Sequence, residues 1–391
     1  MTYKDDFTLP EEILDQIASS GLDYLPELIR IIINTAMQVE RQKYLGAERY
    51  ERSEDRRGHA NGYKPKTVQT RMGEILFDIP QVREGGFYPE ALEKGLRSER
   101  ALRLSLAEMY VQGVSTRRVA AITEQLCGTN VSSTTVSRAA AQLDQTLEAW
   151  RNRPLGEILY VFLDARYEKI RQDGQIRDAA VLVATGIDLH GKRRILGVSI
   201  SLSEQEVHWR SFLQGLVKRG LCGVQLIISD DHAGLKAARQ AVFGGIPWQR
   251  CQFHLQQNAS AYVPRKELLS EVAADIRTVF NAPDRAMAEQ YLSRMVQKYA
   301  KTASKLADWM EKNIPEGLTV FSFPAPHRRL IRTTNHLERL NREIHRRTHV
   351  VSIFPNEPAC LRLISAILME VDEEWETGRS YLPVHDGGKL D

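Results

Sequence analysis

The amino-acid sequence predicts an α/β core that carries a helical insertion and follows a mainly helical N-terminal region. Three observations lead to this prediction. Short apolar runs bounded by turn residues, which are typical of buried strands, are concentrated after residue 154. Before that point apolar residues recur mostly at helical intervals, and residues 259–315 again lack strand-like runs. A chain of 391 residues is also too long for one compact core, so more than one domain is expected.

The first predicted domain comprises residues 1–97. Apolar side chains recur at helix-like intervals through 9–47, which predicts helices there. Two stretches with alternating polar and apolar residues follow, at 67–71 and 74–80, and they predict a β-hairpin.

The second predicted domain, residues 98–153, resembles a helix-turn-helix unit. Ser115 and Ser133 are the predicted N-caps of its second and third helices, because a serine oxygen accepts hydrogen bonds from the free N–H groups of a first turn. The third helix is predicted over 134–147. The second helix is expected to bury three apolar side chains: Val119, Ile122 and Leu126.

The same unit carries candidate DNA contacts. Short polar groups and cations in the first turns of its helices suit phosphates and base edges. The alternative interpretation is a plain helical bundle that does not touch DNA. The candidate contacts of this unit are Arg117, Arg118, Thr134 and Arg138.

The third predicted domain is an α/β unit over residues 154–356. The order of elements is three strands, a helix, a strand and a helix, which is the opening order of a ribonuclease H-like core. Residues 259–318 are predicted to be a helical insertion into this core. A helix at 334–348 follows, and residues 357–391 are predicted to form a C-terminal helix and tail.

Charge is distributed unevenly along the chain, although the formal net charge is only +3. Residues 41–72 hold nine basic and four acidic side chains, and residues 326–350 hold seven arginines against two glutamates. Residues 1–40 and 356–391 are acidic, with eight acidic side chains in each. Basic blocks between acidic ends suggest a polyanionic partner, although solvated helix faces are the alternative for each block alone.

The cysteines and apolar runs indicate a cytoplasmic location. The four cysteines are far apart and show no disulfide framework, which fits a reducing compartment. The N-terminus is acidic and lacks the apolar segment of a signal peptide. No run approaches the ~20 apolar residues of a membrane span, so no membrane partner is expected.

Two aspartates occupy equivalent places in the α/β region. Asp164 follows the apolar run ILYVFL and Asp230 follows VQLIIS, so both are predicted at strand ends, where α/β sheets usually bind ligands. Glu338 lies on a predicted helix in the most basic part of the chain. Carboxylates of this kind hold the paired Mg²⁺ ions that cleave phosphodiesters. A lone aspartate after a strand is more often a turn or cap residue, and the adjacent Asp231 is an alternative ligand.

Several long segments resemble the Mutator-type transposases of bacterial insertion sequences. The match runs in order from about residue 45 to residue 370. The segments that carry it are HANGYKPKTVQTRMGEILFDIPQVREGGFYP (59–89), YVQGVSTRRVAAIT (110–123), LDARYEKIR (163–171), ISDDHAGLKAA (228–238), WQRCQFHLQQN (248–258) and TTNHLERLNREIHRRTHVVSIFPN (333–356).

The resemblance implies a ribonuclease H-like domain with an Asp-Asp-Glu triad and a helical insertion before the glutamate. On this sequence the triad falls on Asp164, Asp230 and Glu338, which would hold Mg²⁺ or, in its place, Mn²⁺. The implied partners are the terminal inverted repeats of an element and its target DNA, bound by a homo-oligomer of at least two copies. Two departures from the family are Asp231, where a small uncharged residue is typical, and glutamine at 256 and 257, where an arginine is usual.

Other residues are expected to support the triad. Cys251 and His254 form the C-x-x-H element of the family and are expected to shape the active-site wall, since a zinc site would need two further ligands. His232 is expected either to orient a carboxylate or to cap a helix. The residues expected beside the metal-binding glutamate are Asn335 and Asn341, and those expected on phosphates are Arg339, Arg346 and Arg347.

Two other functions remain open at this stage. One is a nuclease of the same fold that does not transpose, against which the long N-terminal half argues. The other is a DNA-binding regulator without enzymatic activity, against which the intact set of three carboxylates argues.

Overall fold

The computed structural model describes residues 10–48, 51, 56–83, 86–95, 97–128 and 131–383. Some of the sequence predictions lie outside the described residues. They concern residues 1–9 and 384–391 and parts of the predicted turns near residues 50 and 129. The chain divides into two compact units, residues 1–142 and 143–391. This division falls inside the segment that was predicted as one helix over 134–147. None of the described helices is long and apolar enough to cross a membrane.

The first unit contains helices and one β-hairpin. Its elements in chain order are α1 (Glu11–Ser20), α2 (Leu25–Leu45), β1 (Ala60–Thr70), β2 (Gly73–Val82), α3 (Arg100–Val111), α4 (Thr116–Cys127) and α5 (Ser133–Ala141).

The hairpin packs against α2. Its two strands pair antiparallel with Thr70 opposite Gly73, so both are longer than predicted. Alternate side chains of the hairpin, including Val68, Ile75 and Phe77, are buried together with Met37 of α2. An isolated hairpin is marginally stable in water, so this apolar contact is what holds it in place.

The helices α3, α4 and α5 occupy the segment that was predicted as a helix-turn-helix unit. Ser115 caps α4 by accepting a hydrogen bond from the Arg118 N–H. For α5 the predicted cap is off by one residue, because Ser132 rather than Ser133 accepts from the first turn. Leu126 was expected to be buried, but it is 76% exposed. The buried residues of α4 are Val119 and Thr123, which lie one turn apart.

The second unit begins with a helix and continues as an α/β fold. Its elements are α6 (Asp144–Arg151), β3 (Ile158–Gln172), β4 (Gln175–Asp188), β5 (Arg193–Ser201), α7 (Glu206–Lys218), β6 (Leu226–Ser229), α8 (Ala233–Phe243), β7 (Trp248–Arg250), α9 (Gln252–Ala259), α10 (Leu269–Phe280), α11 (Arg285–Tyr299), α12 (Ser304–Asn313), α13 (Ala325–Ile331), α14 (Asn335–Thr348) and α15 (Glu357–Thr377).

Five strands form one mixed sheet in the order β5-β4-β3-β6-β7. β3, β4 and β5 pair antiparallel, and β6 and β7 run parallel to β3. The strand β7 was not predicted, because three residues are too few to show an alternating pattern. The sheet is central to the unit, so most of its apolar residues are buried on both faces.

Helices cover both faces of this sheet. Val161 and Leu163 point to a core that is completed by Trp209 and Leu213 of α7 and by helix α8. The alternate residues Tyr160 and Phe162 point to the opposite face, where they contact histidines of α13 and α14. Because successive side chains alternate, Asp164 lies on the same face as Phe162.

The inserted helices are held against the sheet edge by buried polar contacts. Gln249 of β7 donates to the Gly317 carbonyl and accepts from the Val320 N–H. Arg250 donates to Asn313 at the end of α12. These contacts place the insertion, predicted over 259–318, directly beside the strand edge that carries Asp230.

The last helix, α15, confirms the predicted C-terminal helix and is anchored by Asp372. This carboxylate is 3% exposed, accepts from the Ile195 N–H at 2.7 Å and pairs with Arg153 at 2.6 Å. The contacts join α15 to β5 and to the segment that follows α6.

Candidate active site

Asp164 is the seventh residue of β3 rather than its last, so the predicted strand end is wrong. β3 continues to Gln172 because its second half stays paired with β4. On its other side, the parallel partner β6 ends at Ser229, so the edge of β3 has no strand partner between Phe162 and Lys169, where pairing with Phe354 begins. Asp164 therefore faces a crevice even though its own strand continues.

Asp230 lies beside Asp164. In the parallel pairing of β3 and β6, Phe162 is opposite Ile228. Asp164 lies two residues after Phe162, and Asp230 lies two residues after Ile228. Residues in register on neighbouring parallel strands lie ~5 Å apart and point to the same face. The aspartates are close enough for the charge of Asp230 to contribute to a raised pKa of Asp164.

The structure distinguishes Asp230 from Asp231. The Asp231 carboxylate is engaged by Arg250 at 3.0 Å and by Lys236 at 3.3 Å, so it belongs to an ion-pair network at the base of the insertion. Asp230 Oδ1 is buried and has no hydrogen-bond partner among the described residues. Asp230 is therefore the aspartate beside Asp164 whose Oδ1 lacks a hydrogen bond, with His254 Nδ1 3.9 Å away.

Glu338 is brought to the same face by α14. Three residues after Glu338 on this helix, the Asn341 side chain donates to Asp164 Oδ2 at 2.8 Å. Positions i and i+3 share a helix face, so Glu338 lies on the side of α14 that faces the aspartates. Glu338 Oε1 is buried and, like Asp230 Oδ1, has no hydrogen-bond partner within the described part of the chain.

Polar contacts that the sequence did not reveal fix α14 against β3. Arg166 donates to the Asn341 carbonyl and pairs with Glu168 at 2.6 Å. Thr348 donates to Glu168 at 2.9 Å. The segment LDARYEKIR thus supplies both a candidate catalytic aspartate and the clamp for the helix that carries Glu338. The only signal in the sequence was the presence of charged residues after an apolar run.

His336 anchors the buried side of α14. Its Nε2 and the Thr185 hydroxyl are 2.9 Å apart, and its ring packs edge-on against Phe162 at 4.3 Å. Burial, with a smaller contribution from the Arg193 charge, lowers the pKa of His336 to about 3. The residue is therefore a neutral core histidine at neutral pH.

Cys251 and His254 lie close to Asp230 and to the start of α14. The Cys251 thiol is buried and accepts from the Thr334 N–H and hydroxyl, each at 3.4 Å. His254 Nδ1 is 3.9 Å from Asp230 Oδ1. Through Thr334, which immediately precedes α14, the C-x-x-H element also contacts the helix that carries Glu338.

Three titratable groups of the site, His254, Asp164 and Cys251, have pKa values that depend on one another and on burial. Interaction with Cys251, followed by the charges of Asp230 and Asp164, raises the pKa of His254 to about 9 against the effect of burial. Burial raises the pKa of Asp164 to about 6, while the Ala165 N–H, His254 and Asn341 lower it. For Cys251, burial alone would raise the pKa, but contacts with His254 and Thr334 outweigh it and lower it. Within the described residues, no three His, Cys, Asp or Glu side chains are already gathered closely enough to hold a metal ion.

Of the supporting residues, Asn335 is exposed at the start of α14, and its expected place beside Glu338 stays a prediction. Two other supporting predictions need correction. His232 occupies the N-cap position of α8 but its side chain makes no capping bond, and its Nδ1 is 3.5 Å from Glu204 instead. Arg347 was expected on phosphates, yet it is 5% exposed and pairs with Glu343 and Glu370.

The other candidate DNA contacts are accessible. Arg339 is exposed on α14, and Arg346 is exposed although it pairs with Glu343. In the first unit the exposed candidates are Arg117, Arg118, Thr134 and Arg138.

A basic groove in the first unit contains one of these candidates. The groove has a volume of about 880 Å³ and lies between the hairpin and α5. Its only lining carboxylate among the described residues is Glu74, and its lining cations are Lys64, Lys66, Arg97, Arg103 and Arg138. Ser98 Oγ and Arg103 Nε are buried at the groove without a hydrogen-bond partner in the described ranges. Sequence analysis separated the hairpin from the helix-turn-helix unit and so did not predict this shared surface.

Comparison with known proteins identifies the family. The family described as transposase, Mutator family, matches residues 1–378. The transposase for insertion sequence element IS406 of Burkholderia multivorans is 59% identical over 94% of this chain and 95% of its own length. The transposase for element ISRM5 of Rhizobium meliloti is 42% identical over 99% and 97%. The transposase for element IS256 in transposon Tn4001 of Staphylococcus aureus is 36% identical over 96% and 98%. This chain therefore belongs to the Mutator family of transposases.

Proposed function

We propose that this protein is the transposase of an insertion sequence and that Asp164, Asp230 and Glu338 carry its DNA cleavage and strand transfer. The observation that carries the proposal is the adjacency of Asp164 on β3 and Asp230 just after the parallel strand β6, with α14 held at Asp164 by Asn341. The names of its relatives, all transposases of insertion sequences, support the same activity. The sheet order and the mixed pairing support a ribonuclease H-like core.

The donor set of this site fits a divalent metal ion. Asp230 Oδ1 and Glu338 Oε1 are buried without hydrogen-bond partners in the part of the chain described, which is costly unless an ion or solvent satisfies them. All three candidate ligands offer hard carboxylate oxygens, which Mg²⁺ prefers and Mn²⁺ also accepts. When bound, the metal would activate the attacking oxygen and stabilise the leaving one.

The chain's own residues prepare this site. Asn341 holds one oxygen of Asp164, so the other oxygen keeps a fixed direction. The positive charge on His254 lowers the pKa of Asp164 and so partly offsets the effect of burial, which raises that pKa to about 6. Because phosphoryl transfer depends on positioning and electrostatics, fixing these carboxylates is the main task of the fold.

The two alternatives are less well supported. A DNA-binding regulator without activity would not need buried carboxylate oxygens that lack partners. A nuclease that does not transpose would share the core, but relatives that match over their whole length are named as transposases.

We assign the binding of element ends to the first unit, through the basic groove between the hairpin and α5. The lining cations have no ion-pair partner among the described residues, so their charge is available to phosphates. Bringing two ends and a target together requires at least two copies of the chain.

Neutralising groove cations is expected to weaken DNA binding in a salt-dependent way. Lys64→Gln and Arg138→Gln should each reduce the slope of log K against log salt concentration, measured for the full-length chain on an end duplex, by about 0.9. The reason is that binding releases about one counterion for each phosphate contact, and each variant loses one contact. Arg100→Gln is the matched control, because Arg100 is exposed on α3 and does not line the groove. Unchanged slopes for both groove variants would remove the groove from the DNA interface.

Cleavage of labelled element ends tests the function itself. The full-length chain is incubated with duplexes that carry the terminal repeats of its element, with Mg²⁺, with Mn²⁺ or with EDTA. We expect nicks at the repeat boundary that leave a 3′-hydroxyl, followed by joining to target DNA, and neither in EDTA. End binding without nicking in either metal would favour the regulator, and nicking without joining would favour the nuclease.

A further inference from the structure

An aromatic side chain is exposed beside the candidate active site. Phe253 is 46% exposed in the first turn of α9, whereas Leu255 and Ala259 of the same helix are fully buried. Its ring lies next to that of His254, with ring centroids 5.5 Å apart. Since His254 is 3.9 Å from Asp230, Phe253 is separated from the aspartates by a single side chain.

Phe253 forms one side of a small cleft of about 180 Å³. Apart from the Thr333 hydroxyl, the polar groups that line it are amides and guanidinium groups, namely Gln252, Gln256, Asn281, Asn335, Arg277 and Arg332. No carboxylate is among the described residues of this lining. Arg332 is held in place by Asn281 at 2.8 Å, and Arg277 is exposed on α10.

Two of the elements that line the cleft also carry candidate site residues. α9 contributes Phe253 and Gln256 together with His254. α14 contributes Asn335, which precedes Glu338 by three residues on the same helix. A DNA strand with one phosphate at the candidate carboxylates would therefore pass next to any group bound in the cleft.

We propose that this cleft receives an unstacked nucleobase of the DNA strand next to the phosphate that is cut, with the face of the base on the Phe253 ring. The inference rests on the proposed function and names a subsite for its DNA substrate. A flat base stacks on an exposed aromatic ring, amide side chains match the donors and acceptors of a base edge, and arginines attract its phosphate. The exposed side chain of Asn335 lines the cleft and is available to such a base edge.

A protein segment is the competing occupant, because Phe253 also borders an apolar groove of about 320 Å³. That groove includes Leu269, which is 38% exposed, along with Val263 and Val272. A protein segment docked there would need Leu269 as much as Phe253. A base in the smaller cleft would need Phe253 and would be indifferent to Leu269, which does not line it.

The test measures end nicking by the full-length chain for Phe253→Ala, Phe253→Tyr and Leu269→Ala. We expect Phe253→Ala to nick roughly 5- to 100-fold more slowly, in line with the usual contribution of one base–aromatic stack. Phe253→Tyr, which keeps the ring, and Leu269→Ala are expected to stay within about twofold of the wild type. End binding and oligomeric state, measured by gel shift and light scattering, should be unchanged in all three.

Substrates with a single abasic site identify the base. The abasic site is moved one nucleotide at a time across the cut position, and wild type and Phe253→Ala are compared on each duplex. We expect one position at which the difference between the two proteins disappears, because the stacking partner is missing. An equal difference at every position, or an equal loss in Leu269→Ala with a changed oligomeric state, would overturn the inference in favour of a protein contact. A wild-type chain that nicks no duplex at all would instead reject the proposed function.

Discussion

Asp164→Asn, Asp230→Asn and Glu338→Gln are each expected to slow nicking and joining of element ends by roughly 10³-fold or more, with end binding nearly intact. Each change keeps the shape of the side chain and removes the charge that would hold a metal ion. The metal supplies several kcal/mol of transition-state stabilisation, and each 1.36 kcal/mol corresponds to about a tenfold change in rate. Single-turnover nicking of a labelled duplex measures the loss, and a gel shift measures binding.

Asp231→Asn is the matched control for these variants. Asp231 is adjacent to Asp230 in the sequence, but its carboxylate is occupied by Arg250 and Lys236. We expect Asp231→Asn to keep nicking within about tenfold of the wild type. An inactive Asp231→Asn beside an active Asp230→Asn would show that the second ligand is Asp231.

Asp372→Ala is expected to destabilise the second unit by about 3 kcal/mol. The change leaves Arg153 without its carboxylate partner and the Ile195 N–H without an acceptor in a buried place. Breaking a buried pair by removing one partner usually costs about 3–5 kcal/mol, and here Arg153 keeps its bonds to the Trp150 and Ile195 carbonyls. Calorimetry should show a fall in Tm of roughly 6–12 °C.

Glu376→Ala serves as the control for Asp372→Ala. Glu376 is one turn further along α15, is 59% exposed and lies 3.7 Å from Arg194. Exposed pairs of this kind contribute at most about 1 kcal/mol, so a shift of a few degrees at most is expected. Equal shifts in the two variants would mean that the buried carboxylate does not anchor α15.

The sequence predicted elements well where one periodic pattern dominated. The buried runs at 158–163 and 224–229 and the helix at 334–348 were correctly identified, because their apolar spacing is determined by burial. The second half of β3 was missed because it is polar and partly exposed, so its strand structure depends on pairing with β4. The end of α5 was missed because helical spacing continues through Leu147 although the chain there passes into the second unit.

The sequence pointed to candidate site residues but not to the contacts around them. Motifs named Asp164, Asp230 and Glu338, whose roles stay predictions. The pairing of Asp231 with Arg250 was not visible in the sequence, because Arg250 comes from a different strand. The clamp formed by Arg166, Glu168 and Thr348 joins residues about 180 positions apart. The burial of Arg347 was equally hidden, because its partner Glu370 lies on the next helix.

The location of bound Mn²⁺ tests the central claim most directly. Crystals of the full-length chain are soaked in Mn²⁺, and anomalous scattering marks the ion. The account predicts anomalous density in contact with the carboxylates of Asp164, Asp230 and Glu338, and its loss in crystals of Asp230→Asn. Density held by Asp231 and Glu316 instead, with none at Asp164, would contradict the account.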